Sequence, residues 1–323
     1  MAPIQVGWIG LGSMGIGMSK NLQKYLSSTG ALPLLYTNRT LSRGDSLKSL
    51  GAKPVETVRE VTQRSTIIFS CVSNDAVLRS VVDDIAASGS IKGKVYVDCS
   101  TVHPDTALDV SKQIVQAGGE FVAVLTSTQA PVFGASPVAE AGRLIFVTAG
   151  PRTAIERISP YLKGVMGRSV IDMGEEVSKS SLLKIAGNIC VVSFMEVIAE
   201  AHVFAEKTGL GSRILEDMLS DNFGPVIGSY SKRITTGAYA PAPNDKAGFD
   251  VALAIKDARH ALNCARDVGA TLQVSEVALK NLEIAQELQQ GKPLDSSSMY
   301  GTLRVDAGLD FYTDLCKKRD SVA

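Results

Sequence analysis

Apolar and polar positions follow two different patterns in the two halves of this 323-residue chain. In the first half, short continuous apolar runs alternate with amphipathic stretches, which is typical of parallel strands covered by helices on both faces. The apolar runs predict strands at residues 4–9, 34–37, 66–72, 95–99, 121–125, 144–148 and 169–171. Helices are predicted at residues 14–28, 41–50 and 76–87 and after Pro104. This alternation through about residue 172 predicts an α/β domain with a doubly wound, mostly parallel sheet.

From about residue 177 the strand pattern stops and helical periodicity replaces it. Helices are predicted at residues 178–207, 213–220, 251–268 and 274–290. The sequence therefore predicts two domains, an α/β domain over residues 1–176 and an all-helical domain over residues 177–323. The first helix of the second domain is apolar on most faces over residues 185–198. Such a helix is buried in its own domain or against a second subunit.

A glycine-rich turn follows the first predicted strand. Gly10, Gly12 and Gly15 have the spacing G-x-G-x-x-G between that strand and a helix start. The first glycine permits a tight turn, the second lets a pyrophosphate approach the backbone, and the third lets helix and strand pack closely. The phosphates would lie against the N–H groups at the positive end of the helix dipole. An ordinary strand–helix turn is the alternative, but the context favours dinucleotide contacts from Gly10, Leu11, Gly12, Ser13, Met14 and Gly15.

The end of the second predicted strand is where a dinucleotide-binding fold distinguishes NAD from NADP. An acidic residue there binds the ribose 2′-hydroxyl, whereas an arginine accommodates a 2′-phosphate. This chain has Asn38, Arg39 and Thr40 at that position, with Arg43 one turn later and no carboxylate. Two arginines on a solvated helix start are the alternative interpretation. We predict NADP as the cofactor, with NAD less favoured, and we predict contacts from Asn38, Arg39 and Thr40.

Composition narrows the classes of partner. Lys plus Arg and Asp plus Glu are equal at 33 each, so no overall field attracts nucleic acid or an anionic membrane. We find no run of about 18 apolar residues and expect no membrane span. Five scattered cysteines indicate reduced thiols, and the first strand begins too early for a targeting peptide, so a cytoplasmic protein is expected. Three histidines without metal-ligand spacing predict no metal site.

Four sequence blocks, which occur in the same order as in a known family, carry a specific resemblance to that family. They are Gly10–Gly15 with Met18 and Asn21 downstream, Asp98-Cys99-Ser100-Thr101 with Pro104 behind it, Gly174 followed by Lys184-Ile185-Ala186-Gly187-Asn188, and Phe249 through Lys256-Asp257. On these blocks the chain resembles the 3-hydroxyisobutyrate dehydrogenase family, also called β-hydroxyacid dehydrogenases, within the 6-phosphogluconate dehydrogenase superfamily. The resemblance covers nearly the whole chain and implies a Rossmann domain followed by a helical domain.

The resemblance implies reversible, NADP-dependent oxidation of a small β-hydroxy acid to its semialdehyde or keto acid. Lys184 would be the general acid/base, because desolvation on an apolar helix lowers a lysine pKa toward working pH. Asn188, one turn further on the same face, would hydrogen-bond the substrate or Lys184. The family's D-x-S-T segment binds substrate and nicotinamide, which assigns Ser100 and Thr101 to the substrate. Further cofactor contacts are predicted for Thr101, Lys256 and the residues after the 66–72 strand, Cys71, Val72 and Ser73.

For each lysine, the alternative is a surface residue whose aliphatic stem covers apolar surface. The sequence also departs from the family at residues 129–135. The family pattern D-A-P-V-S-G-G is replaced by Gln129-Ala130-Pro131-Val132-Phe133-Gly134-Ala135. We still predict substrate contacts for Phe133 and Gly134. Phe133 adds an apolar wall and removes a hydroxyl, which favours a bulkier, less acidic substrate.

Two other functions remain open from the sequence. Imine reductases and reductive aminases share this architecture, but they commonly lack the catalytic lysine that Lys184 provides. A non-catalytic dinucleotide-binding protein on the same fold is the second alternative, although its relatives carry an added reader module that is absent here. By the family resemblance, the apolar helix at residues 185–198 indicates a homodimer, or a dimer of dimers, built through the helical domains.

Overall fold

The computed structural model describes residues 3–127, 135–243, 245–289 and 291–321. The chain divides into two compact units. The described residues up to Lys184 form the first unit, and those from Ile185 onward form the second. The predicted second domain begins at residue 177, which is the first residue of the helix that contains this division.

Eight strands of the first unit form one sheet in the order β3-β2-β1-β4-β5-β6-β7-β8. Their bounds are β1 Val6–Ile9, β2 Leu35–Thr37, β3 Lys53–Pro54, β4 Ile67–Ser70, β5 Val95–Asp98, β6 Glu120–Ser127, β7 Leu144–Ala149 and β8 Gly167–Asp172. Strand order reverses at β1, which pairs in parallel with both β2 and β4. In sheets of this kind ligands bind at the carboxyl ends of the strands, at the point of reversal.

The helices of the first unit follow the predicted alternation. They are α1 Ser13–Ser28, α2 Asp45–Lys48, α3 Val58–Arg64, α4 Asp75–Ala86, α5 Pro104–Gln116, α6 Ala135–Glu140 and α7 Arg152–Leu162, with a 3₁₀ turn at Leu41–Gly44. The predicted helix at residues 41–50 is therefore a 3₁₀ turn and a short α-helix. The side chains of α3, α4 and α5 pack on one sheet face, with Val61, Leu78, Val82 and Ile114 fully buried there.

One strand pair differs from the rest of the sheet. β6 and β7 pair antiparallel, with Leu125 opposite Val147, whereas every other pair is parallel. The prediction of a doubly wound, mostly parallel sheet is confirmed. Strand direction in this pair was not readable from the sequence, because both strands have the same continuous apolar pattern whichever way they run.

The second unit is helical, as predicted. α8 Val177–Thr208 enters it from the first unit, followed by α9 Ser212–Thr235, α10 Val251–Asp267, α11 Gln273–Leu288, α12 Met299–Asp306 and α13 Asp314–Asp320. Its core joins buried residues of α8, α10 and α11 to an aromatic group of Tyr239, Tyr300 and Phe311. The predicted helix at residues 213–220 is too short. It continues to Thr235 through a kink at Gly224, where φ is +81° immediately before Pro225.

Among the described residues, α8 alone has the length and composition of a helix that could cross a membrane. The expectation that no such segment exists is therefore too strong for α8. The buried side chains of α8, including Val192, Met195 and Ile198, belong to the core of the second unit. A buried core helix has the same composition as a membrane span.

α8 also buries a carboxyl group in this core. Glu196 is 1% exposed, and Asn281 Nδ2 on α11 donates to its Oε1 at 2.5 Å. Burial raises the pKa of Glu196 to about 7, against the opposing effect of the Asn281 hydrogen bond. The folded state therefore holds this proton more tightly than the unfolded chain does.

Replacing Glu196 with glutamine should stabilise the protein at alkaline pH and have little effect in acid. The unfolded carboxyl ionises near pH 4.5 and the folded one near pH 7. The free energy of unfolding therefore decreases as the pH rises from 4.5 to 7. The loss is at most about 3 kcal/mol. Glutamine keeps an oxygen for Asn281 and cannot ionise. Thermal unfolding at about pH 4.5 and pH 8 measures the difference, with exposed Glu287→Gln on α11 as control. Equal responses of both variants would contradict the assignment.

Candidate functional site

The glycine-rich turn makes unusually close backbone contacts at the end of β1. Gly10 has φ +93°, and its N–H donates to the Thr37 carbonyl at 3.1 Å. A Cβ on Gly10 would lie 2.4 Å from the Cys71 carbonyl oxygen, and a Cβ on Gly15 would lie 2.4 Å from the Gly10 carbonyl oxygen. Both positions therefore require glycine, as the motif predicts.

The start of α1 fits a dinucleotide diphosphate. The N-cap is Gly12, no side chain of the described residues caps this end, and the first turn has no acidic residue. Among the described residues, no atom other than those of its chain neighbours lies within 4 Å of a Cβ built on Gly12, which leaves space beside the first N–H groups. Ser13 and Met14 belong to that first turn. Such a helix N-terminus favours an anion through its N–H groups and its dipole.

Asn38 also has a structural role, which the sequence did not reveal. Its Oδ1 accepts the Leu11 N–H at 2.9 Å, and its Nδ2 donates to the Thr40 carbonyl at 2.8 Å. The side chain thus fastens the glycine-rich turn to the segment after β2, and the Leu11 N–H is used inside the protein. Arg39, Thr40 and Arg43 are exposed in the same segment.

Hydrogen bonds join the carboxyl end of β4 to the ends of β1 and β5. Cys71 N–H donates to the Ile9 carbonyl at 2.9 Å, and Val72 N–H donates to Ser100 Oγ at 2.9 Å. Ser100 is buried and donates its hydroxyl to Asp98 Oδ1 at 2.7 Å. Ser73 is exposed, and Thr101 is half-buried. The first unit therefore brings the glycine-rich turn, residues 71–73 and residues 100–101 to one edge of its sheet.

Asp98 is buried at this edge. Desolvation raises the pKa of Asp98 to about 6, and the hydrogen bonds from the Ser100 and Ser70 hydroxyls and from the Ser100 N–H oppose that rise. Asp75 adds a smaller increase by charge repulsion. From the sequence, Asp98 stands out only as part of the family pattern. The available signal was the spacing of Asp98 and Ser100, two residues apart, which permits a hydrogen bond between their side chains.

The second group of polar residues lies on α8 and α10. Lys184 is half-buried on α8, and Asn188 follows one turn later on the same face. Asn188 is buried and donates from Nδ2 to Asp257 Oδ2 at 2.6 Å, while Lys256 Nζ lies 3.0 Å from Asp257 Oδ1. Asp257 therefore holds both Asn188 and Lys256. That role was missed, although Asp257 follows Lys256 directly in the family block.

Some predicted positions are not tested by this structure. Phe133 and Gly134 lie outside the described residues. The lowered pKa of Lys184 stays a prediction, as do the ligand contacts assigned to the other residues. Within the part of the chain that the structure describes, no group of three or more His, Cys, Asp or Glu side chains could hold a metal ion.

Comparison with known families matches both halves of the chain. A family model described as the NAD binding domain of 6-phosphogluconate dehydrogenase matches residues 5–174. A second, described as NAD-binding of NADP-dependent 3-hydroxyisobutyrate dehydrogenase, matches residues 179–303. Together the two models cover most of both predicted domains.

Individual relatives match along nearly their full length. The NADH-dependent oxidoreductase ucdB of Aspergillus ustus is 31% identical, with 93% of this chain and 99% of that protein covered. Glyoxylate/succinic semialdehyde reductase 1 of Arabidopsis thaliana is 30% identical, with 92% and 97% covered. Among solved structures, Mycobacterium tuberculosis 3-hydroxyisobutyrate dehydrogenase with L-serine has a TM-score of 0.76 at 22% identity, covering 94% and 99%. An imine reductase from Pseudomonas sp. has a TM-score of 0.58 at 20% identity, covering 93% and 99%.

Proposed function

We propose a function from the premise that the chain belongs to the 6-phosphogluconate dehydrogenase-like family that includes the 3-hydroxyisobutyrate dehydrogenases. The chain is accordingly an NAD(P)-dependent oxidoreductase. Our proposal is that it interconverts a small β-hydroxy acid and its semialdehyde or keto acid, with NADP as cofactor and Lys184 as general acid/base. The observation that supports it is Lys184 one helical turn from an asparagine held by Asp257.

Oxidation of an alcohol to a carbonyl removes a hydride from carbon and a proton from oxygen. A bound nicotinamide supplies the hydride acceptor. Neutral Lys184 takes the hydroxyl proton at Nζ, and in the reverse direction its ammonium returns that proton to the carbonyl oxygen. One N–H of Asn188 is donated to Asp257, and the second N–H of the same amide would donate to the substrate oxygen while the hydroxyl proton goes to Lys184. Thr101 would bind the substrate acid group at the end of β5.

Nicotinamide absorbance tests this proposal directly. The purified protein is incubated with NADP and a panel of small hydroxy acids, and with NADPH and the matching aldehydes and keto acids, glyoxylate and succinic semialdehyde among them. Half of the carbonyl reactions also contain an amine. Turnover of hydroxy acids and of carbonyls without amine supports the proposal. Turnover only with amine would replace the proposed function by imine reduction. Phe133, which departs from the family pattern, and the similar fold of the imine reductase favour that alternative. No turnover in any reaction would contradict both.

Replacing Arg39 with alanine should weaken NADPH binding and leave NADH binding unchanged. An exposed guanidinium beside the Asn38 anchor is the group we propose for the 2′-phosphate. A charge-assisted hydrogen bond of this kind is worth about 1.5–3 kcal/mol, or roughly 10- to 100-fold in affinity. Dissociation constants for both cofactors measure it, with Arg64→Ala on α3 as control. A wild type that prefers NADH, or an unchanged preference in the variant, would contradict the NADP assignment.

We also propose that the protein is a homodimer through its helical unit. Phe194, Val197 and Phe204 of α8 are exposed, with Phe204 at 65%, and their spacing places them along one stripe of the helix. A second copy of this chain would cover that stripe, as the family resemblance implies. Light scattering at micromolar concentration should give twice the mass of the chain or a higher multiple. A monomer would contradict the proposal.

A further inference from the structure

A chain of hydrogen bonds crosses the ends of β4 and β5. Tyr96 donates its hydroxyl to Ser70 Oγ at 2.7 Å, and Ser70 donates to Asp98 Oδ1 at 2.7 Å. From the other side Ser100 donates to the same oxygen at 2.7 Å, and Ser100 in turn accepts the Val72 N–H at 2.9 Å. Each of the three hydroxyls, those of Tyr96, Ser70 and Ser100, therefore has a defined acceptor, and the series of hydrogen bonds ends on Asp98.

The side chains in this network are almost completely removed from solvent. Tyr96, Ser70, Asp98 and Ser100 are each at most 3% exposed. A buried carboxyl is costly unless it is hydrogen-bonded, and here three donors compensate it. Hydrogen bonds in such an environment are strong and reinforce one another. The network is therefore rigid, and a change at Asp98 reaches each of its neighbours.

Only one arm of the network leaves the sheet. The Tyr96–Ser70 arm stays within β4 and β5, whereas the Ser100 arm ends on Val72. The segment that contains Val72 packs against the glycine-rich turn. A Cβ built on Gly10 would lie within 3.2 Å of the Cys71 carbonyl group and of Val72 Cγ1. Because this segment packs so closely on Gly10, a displacement of Val72 would also displace the glycine-rich turn.

We propose that Asp98 is a positioning residue for dinucleotide binding. It acts through the Ser100 hydroxyl on the Val72 N–H and thereby holds residues 71–73 against Gly10. This inference rests on the proposed function, since the turn must bind a dinucleotide. It assigns the buried Ser100 hydroxyl to the protein, so that Thr101 is left as the side chain of this pair that contacts ligand.

Two alanine variants separate this role from general stability. Ser100→Ala and Ser70→Ala each delete one buried hydroxyl that donates to the same Asp98 oxygen, but only Ser100→Ala cuts the link to Val72. NADPH and NADH are titrated without substrate, so that a lost substrate contact cannot contribute. Trp8 reports binding by fluorescence, because it is the single tryptophan and its buried indole N–H donates to the Gly10 carbonyl at 2.8 Å.

The expected result is a dissociation constant about five- to tenfold higher for Ser100→Ala and within about twofold of wild type for Ser70→Ala, with similar Tm losses in both. Equal dissociation constants for the two variants would overturn the inference while the wild type still binds the dinucleotide. A wild type that binds neither dinucleotide would instead overturn the proposed function. If Ser100→Ala does not fold, Ser100→Cys decides: a thiol is a much weaker acceptor for the Val72 N–H, and an unchanged dissociation constant would overturn the inference.

Discussion

Replacing Lys184 with alanine should lower kcat by a factor of roughly 10² to 10⁴, the usual contribution of general acid–base catalysis. Lys184 is the ionisable residue of the proposed mechanism that accepts and returns the substrate proton. Its half-buried position on α8, one turn from buried Asn188, gives it a fixed helical support. Removing the amine leaves cofactor and substrate binding largely in place, so the loss should appear in kcat more than in KM.

The matched control is Lys179→Ala. Lys179 is on the same helix, is exposed, and forms an ion pair with Glu176 at 3.1 Å. The control should keep wild-type turnover, and both variants should keep the Trp8 fluorescence response to dinucleotide. The pH profile of Lys184→Ala should also lose the limb that reports the base. Turnover by Lys184→Ala within about threefold of wild type would exclude the lysine as the acid/base.

Replacing Gly15 or Gly12 of the glycine-rich turn with alanine should have opposite effects on the stability of the unliganded protein. In Gly15→Ala the new methyl would lie 2.4 Å from the Gly10 carbonyl oxygen, which already accepts the Trp8 indole N–H. Backbone atoms cannot move aside as a flexible side chain can, so the clash should destabilise the protein by about 1–3 kcal/mol. Dinucleotide binding should be lost with it.

In Gly12→Ala the methyl meets no atom within 4 Å in the described part of the chain, apart from its chain neighbours, and the residue's φ of −69° suits alanine. The unliganded protein should therefore melt as wild type does. The methyl would occupy the space where a pyrophosphate approaches the backbone, which should weaken binding roughly 10- to 100-fold. Thermal unfolding with and without NADPH compares both variants through the stabilisation that ligand binding gives. A Gly12→Ala protein with an undiminished NADPH shift would show that the diphosphate does not bind at this turn.

Much of the first unit could be predicted because its signals are local. The strand, glycine turn and helix from β1 to α1 are contiguous in sequence, and each glycine has a reason that its neighbours reveal. The N-cap of α4 is similar: Asn74 accepts the Val77 N–H, and an asparagine directly before a helix is itself a local signal. The kink in α9 was missed because a glycine–proline pair predicts a helix end as readily as a bend.

The sequence by itself determined the two-part architecture and the dinucleotide motif, since apolar periodicity and glycine spacing are set by residues close along the chain. The candidate lysine came from the family resemblance of the block that contains it. Only the tertiary structure decided how the buried polar groups are used. Asn38 fastens the turn, Ser100 faces Asp98, and Asp257 holds Asn188 from another helix. Each buried polar atom must find a partner, and which partner is available depends on strands and helices that are distant in sequence.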